Sequence, residues 1–407
     1  MSHSIKSAIV IGAGVVGVAT AYALARRGVS VTIIDQREAA GNGTSFANGG
    51  QLSYLYTGPL ATHRIRAELP SLALGMNPAF RISLKTDPDF VLWLLAFLRN
   101  CTRDRFVRNM HSALELTLES RLAMLNLLQQ HELDFDYQVR GKMQLLYTPH
   151  SVDTVKETMS LKQADDEDEQ MLSPDEMLRI EPALAHAGQK PLAGLWSPGE
   201  AMGDANKFSR ALLDLLQTEY GVETCFGQRV TRVSLNDTGG EVFLGKDRPL
   251  SADLVVLSTG ADRALMKQLR LNVPLYPMKG YSITAGLGEA PPEISLTDAK
   301  RRLVFTPLGG RMRIAGMADL GVTKEAIAPK RLQVLIDAAK ASMPKSANFD
   351  DIQNSWAGLR PMTPDSNPRI ARPHPALAYA LGHGMLGWTM AMGSGERVAK
   401  LALPDAE

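Results

Sequence analysis

The stretch Gly12-Ala13-Gly14-Val15-Val16-Gly17 constrains this chain more than any other. It follows the apolar run 6–12, which reads as a short buried parallel strand, and it opens the Ala-rich segment 15–27, which reads as a helix stopped by Gly28. A second apolar run, 29–35, ends in Asp35. Strand, glycine turn, helix, strand and terminal acid together make a βαβ unit that binds a dinucleotide. Gly12 permits the tight turn, Gly14 lets backbone approach a pyrophosphate, and Gly17 lets helix and strand pack closely. The first amides of the helix, around Val15 and Val16, face the phosphates. Asp35, with Gln36 beside it, accepts from ribose hydroxyls, and an acid there disfavours a 2′-phosphate.

At 407 residues the chain calls for two domains, and its 45% hydrophobic content suits a large core. A net charge of +1 argues against a dedicated nucleic-acid binder. Cys101 and Cys225 have no C-x-x-C spacing, so no metal cluster and no disulfide framework are expected, and a reducing, cytoplasmic setting follows. The first apolar run lacks the basic flank of a secretory leader. No run reaches the roughly 18–20 apolar residues that span a bilayer. The segment FVLWLLAFL at 90–98, followed by Arg99, Arg103, Arg105 and Arg108, is read either as a buried helix or as a patch resting on the inner face of the cell membrane.

Further along, 41–58 reads as loop, 88–131 as helix, 137–148 as strand and the acidic 165–170 as a solvated turn or helix end. Residues 205–219 form an amphipathic helix closed by Gly221. Short strands follow at 222–234, 241–245 and 254–259. Alternating runs in 273–320 suggest a larger antiparallel or mixed sheet. Helices are expected at 330–343 and from about Ser394 to Leu401.

The choice of FAD over NAD rests on segments beyond the first motif. Residues 254–260, ending in Thr259 and Gly260, resemble the second dinucleotide-contact strand of flavoproteins. Residues 221–230, ending at Val230, look like the strands that meet the adenine. The C-terminal run His383, Gly384, Leu386, Gly387, Trp388 and Thr389 places glycines ahead of a last helix, whose start can stabilise negative charge on the flavin pyrimidine ring.

Five motifs carry a family resemblance: GAGVVGVATAYALARRG at the start, TSFANGGQLS at 44–53, YPMKGYSIT at 276–284, AGLRPMTPDSNP at 357–368 and GHGMLGWTMAMGSG at 382–395. The chain resembles the D-amino-acid dehydrogenase (small subunit) branch of the FAD-dependent D-amino-acid oxidase and glycine oxidase superfamily, over essentially its whole length. The resemblance implies oxidative deamination of D-amino acids to 2-oxo acids and ammonia, by hydride transfer to flavin N5. Electrons then pass to a quinone or another acceptor. Substrates such as D-proline, D-hydroxyproline, glycine or an N-alkyl amino acid fit the same frame. So does a flavin-holding subunit of a membrane-bound complex.

Within that resemblance, Arg360 holds the position of the carboxylate clamp, a role suited to a planar guanidinium fork. Lys279 falls where a cation tunes the flavin, with a surface lysine as the plain alternative. Tyr281 either lines the substrate pocket or packs in its strand. Ser45, Ala47, Asn48, Gly49 and Gln51 would meet the ribityl chain and pyrophosphate. His383 is expected to hold the flavin or its loop rather than act as a base, and Trp388 to cover the flavin or the core. The fold expected is α/β: a Rossmann-type FAD-binding domain on a parallel sheet, discontinuous in sequence (1–55, 198–262 and 350–407), and a second α+β substrate domain on a mixed sheet (56–197 and 263–349).

Overall fold

The computed structural model describes residues 4–65, 78–83, 85–162, 168–245 and 249–404. Strands Ser7–Ile11 and Ser30–Ile34 flank helix Val15–Ala25, as the glycine motif requires. They belong to a six-stranded sheet in the order Glu223–Cys225, Ser30–Ile34, Ser7–Ile11, Leu254–Leu257, Leu377–Leu381, Arg369–His374. Its neighbours run parallel except the final pair, which is antiparallel. The central strands are apolar on both faces because both are covered. Ala8 and Val10 pack with helices Val15–Ala25, Ala205–Tyr220 and Gly387–Ala402, while Ile9 and Ile11 pack against the small antiparallel sheet formed by 232–236, 239–243 and 250–252.

The second sheet has nine strands among the described residues. Ala347–Met362, Tyr276–Leu287, Arg311–Leu320, Leu303–Leu308 and Ser295–Asp298 form an antiparallel run, which continues through Lys142–Leu146 in parallel pairing. The sheet is therefore mixed, as its alternating sequence suggests. Helix Pro329–Ser342 packs against it through Leu335 and Ala339.

Four sequence expectations change. The strand Ala347–Met362 hydrogen-bonds to Tyr276–Leu287, so the expected cut at 350 falls inside a strand of the second sheet. The final helix starts at Gly387, well before Ser394. Gly393 lies against Leu116 and Gly395 against the backbone of Ala19, so these glycines let helices approach. The acidic stretch is described only from Asp168 onward; Glu169, expected in solvent, is buried in an ion pair with Lys162, and the rest of that stretch lies outside the described residues. The long helical segment 88–131 is two helices, Pro88–Asn100 and Arg103–Gln130, because Thr102 caps the second with its side chain.

Candidate active site

A cavity of about 1160 Å³ runs between the two sheets. At one end lies the glycine turn. Gly12 has φ 109°, and a Cβ there would collide with the Ser258 carbonyl. A Cβ on Gly17 would collide with the Gly12 carbonyl. Both positions therefore demand glycine. Asp35 is braced by two backbone amides, Ala13 at 2.7 Å and Arg37 at 2.8 Å, one on each oxygen. Each oxygen keeps lone pairs for a further donor. Gln36, Val230, Thr259 and Gly260 line the same end.

The loop 44–51 lies along the cavity with its polar atoms turned to the second sheet. Thr44 donates to the Leu359 carbonyl, at 2.8 Å. The carbonyls of Ala47, Asn48 and Gly49 accept from Ser282, Arg313 and Thr306 at 2.5, 2.9 and 2.7 Å. Arg313 is itself buried and paired with Asp204 at 3.2 Å. Ser45 differs, because its Oγ accepts from the Val15 amide at 3.2 Å and so partly closes the first helix start. Val16 and Gly17 remain first-turn amides with no intrahelical partner.

The C-terminal helix opens on the same cavity through Gly387, Trp388 and Thr389. Its first amides have no intrahelical acceptor either. Gly384, with φ 57°, and Leu386 shape the turn before it. Trp388 also lines the cavity, yet its indole donates to the Gly203 carbonyl at 3.1 Å and its ring packs with Phe208 and Phe135, which ties it to the core. His383 is buried, with Nε2 2.9 Å from Ser394 Oγ. Burial pushes it down to about 4, so it is neutral at neutral pH. The contact ties the turn before the last helix to that helix.

The far wall carries Arg360. Its Nη1 donates to the Met317 carbonyl at 3.0 Å. Met317 takes φ 60°, a left-handed conformation that costs a non-glycine residue energy. It sits at a bulge opposite Gly280, where the register slips between Lys279 and Tyr281. The guanidinium lies over Gly280, and a Cβ there would collide with it. Burial pushes Arg360 down to about 10, with the charge of Asp319 opposing, so it stays cationic at neutral pH. Among the described residues no carboxylate pairs with it.

Lys279 does not join Arg360. It is buried rather than on the surface, and its ammonium bonds the Ala326 carbonyl, outside the cavity lining. Strand alternation and the bulge turn it toward the loop 321–328. Tyr281 does line the cavity and is also packed in its strand. Its hydroxyl is 3.2 Å from Asp319, and burial pushes it up to about 12. Asp319 is held in turn by Arg331 at 2.5 Å. The sequence reading missed Met317 and Gly280. A glycine inside an alternating strand is the signal that could have found the second.

The cavity lining suits a dinucleotide cofactor. Two helix starts, a glycine turn closed to any Cβ and a braced acid are chemistry for a pyrophosphate and a ribose. The family profile described as FAD dependent oxidoreductase matches residues 7–401. The chain belongs to this family. Other family resemblances are close in sequence. D-amino acid dehydrogenase 2 of Ralstonia nicotianae is 34% identical over 404 residues, covering 96% of this chain and 95% of that protein. D-amino acid dehydrogenase 2 of Pseudomonas aeruginosa is 36% identical, covering 96% and 93%. Among solved structures, glycine oxidase from Geobacillus kaustophilus superposes with a TM-score of 0.75 at 20% identity, covering 99% of this chain and 95% of that one. Those coordinates show a shared fold. The protein is thus an FAD-dependent oxidoreductase, and the residues around the cavity fit that cofactor.

Proposed function

We propose that this chain oxidises D-amino acids to 2-oxo acids and ammonia, with Arg360 as the carboxylate clamp. The observation that carries the reading is Arg360 itself: a half-buried cation in the cavity wall, oriented by a backbone carbonyl and paired with no carboxylate among the described residues. A desolvated cation with no carboxylate beside it favours an anionic ligand. Relatives bearing D-amino acid dehydrogenase names, at 34% and 36% identity, support the substrate class.

Arg360 fixes the substrate through two parallel hydrogen bonds, which sets where Cα lies. FAD, when bound, supplies the acceptor for the hydride that leaves Cα. The site residues proposed for holding it are Gly12, Gly14, Val15, Val16, Gly17, Asp35 and Gln36, with Val230, Thr259 and Gly260 beside them, the loop 45–51 and the turn 383–389. No side chain is required as a strong base, provided the amine binds neutral. His383 is turned to Ser394 and is unsuited to that work.

The quinone-class acceptor and a membrane contact belong to the same proposal. Helix Pro88–Asn100 buries Phe90, Trp93 and Phe97 and exposes Val91, Leu92, Leu95 and Arg99; the exposed apolar face is what supports the membrane reading. No helix among the described residues is long and apolar enough to cross a membrane.

The test is Arg360→Leu. KM for D-alanine should rise about 100-fold or more, while flavin absorbance is retained. An unchanged KM for D-alanine sinks the assignment.

A further inference from the structure

Gln51 stands where the chain leaves the 44–51 loop, and its side chain enters the cavity. Its Nε2 donates to Ser295 Oγ at 2.6 Å and to Thr297 Oγ1 at 3.2 Å. Neighbouring hydroxyls fix which end of the amide faces the sheet. Thr306 spends its proton on the Gly49 carbonyl at 2.7 Å. Ser295 Oγ lies 3.2 Å from Thr306 Oγ1 and 3.4 Å from the Phe305 carbonyl, so its proton has acceptors there. Ser295 therefore offers Gln51 a lone pair, and the NH2 end meets it. The other end, Oε1, is left to the cavity, and no donor of the described residues reaches it.

The position of that oxygen relative to Arg360 can be read from the sheet. Thr297 pairs with Val304, and Val304 with Ala315, so the three form a row, and all three line the cavity. The Arg360 guanidinium is docked on Met317, two residues past Ala315 on the same strand. Thr297, which holds the Gln51 amide, and Met317, which holds the guanidinium, are thus two interstrand spacings and two residues apart, about 12 Å. An α-amino acid, whose carboxylate and amine lie about 3 Å apart, spans about 9 Å with one hydrogen bond at each end, and the Gln51 and Arg360 side chains reach in from those two points to cover the rest.

We infer that Gln51 Oε1 receives the substrate amine and selects for an N–H donor on Cα while Arg360 holds the carboxylate. This rests on the reading of Arg360 given above and adds the second anchor. Two fixed anchors on one molecule also set which face of Cα meets the acceptor. One accepting oxygen serves a primary or a secondary amine and gives nothing to a carboxylate that lacks a donor. Gln51 is a positioning residue in this scheme; no proton leaves it.

Two unreactive ligands separate the anchors. 2-Aminoisobutyrate carries the amine but no Cα–H, and trimethylacetate has a methyl group in its place. Their dissociation constants are read from the change in flavin absorbance of the holoenzyme. Gln51→Met should weaken 2-aminoisobutyrate about 10-fold and leave trimethylacetate within about twofold. Gln51→Glu keeps an acceptor oxygen and adds charge, so it should hold 2-aminoisobutyrate at least as tightly as the wild type. Arg360→Leu should weaken both ligands together. If Gln51→Met binds 2-aminoisobutyrate as the wild type does, or loses both ligands equally, the inference is overturned. If Gln51→Met does not retain flavin, Gln51→Glu decides: a loss of 2-aminoisobutyrate there overturns it. If Arg360→Leu binds both ligands unchanged, the carboxylate reading fails, whatever the Gln51 variants do.

Discussion

Glu325 reaches across the mouth of the cavity to Arg37, whose Nη2 lies 2.9 and 3.0 Å from its two carboxylate oxygens. Arg37 follows Asp35 in the first sheet's nucleotide turn, and Glu325 rides on the loop after the strand Arg311–Leu320. Lys279 secures that loop by bonding the Ala326 carbonyl, with its charge near Glu325. The lysine expected beside the flavin thus belongs to a clasp between the two sheets. Both ends of the clasp line the cavity.

The pair is partly exposed, so it is worth about 0–1 kcal/mol and is screened by salt. Glu325→Gln should therefore speed FAD release by up to about fivefold at low ionic strength. The difference should vanish at high salt. Release of flavin fluorescence after dilution measures it, and equal rates at low salt would remove the clasp from any role in holding FAD.

Much of this architecture is legible in the sequence, and the gaps have physical reasons. The glycine turn and Asp35 are legible because backbone geometry leaves only glycine at Gly12 and Gly17. Arg360 is singled out by the motif it sits in, and the structure puts it in the cavity wall. Lys279 is not legible, because its direction depends on a bulge across the ladder, which local spacing does not encode. Met317 acts through a carbonyl, so its side chain gives no sign. The boundary at 350 failed because an apolar-polar strand reads the same whichever sheet it joins.

The C-terminal helix shows the same limit in another form. A Cβ on Gly395 would lie 2.5 Å from the Ala19 carbonyl, in backbone that cannot swing aside. Gly395→Ala gains helix propensity, worth about 1 kcal/mol, but forces the first and last helices apart. The net effect should be a loss of about 1–3 kcal/mol in urea unfolding. It should also weaken FAD binding, since both helix starts face the cavity. A variant as stable as the wild type would show that the two helices separate freely.

His383 makes stability depend on pH. Burial pushes its imidazolium form out, lowering it from 6.5 to about 4. Between those values the unfolded chain binds a proton that the folded chain refuses. The stability this group contributes is therefore complete above about pH 6.5 and is lost as the pH falls toward 4. Its share should make the protein about 2 kcal/mol less stable at about pH 5 than at about pH 7. His383→Gln keeps a partner for Ser394 and has nothing to titrate, so that share of the slope should disappear. Urea unfolding of both proteins at the two pH values measures the difference. Equal slopes would mean that His383 is protonated in the folded protein, and that the loop before the C-terminal helix carries a charge toward the cavity.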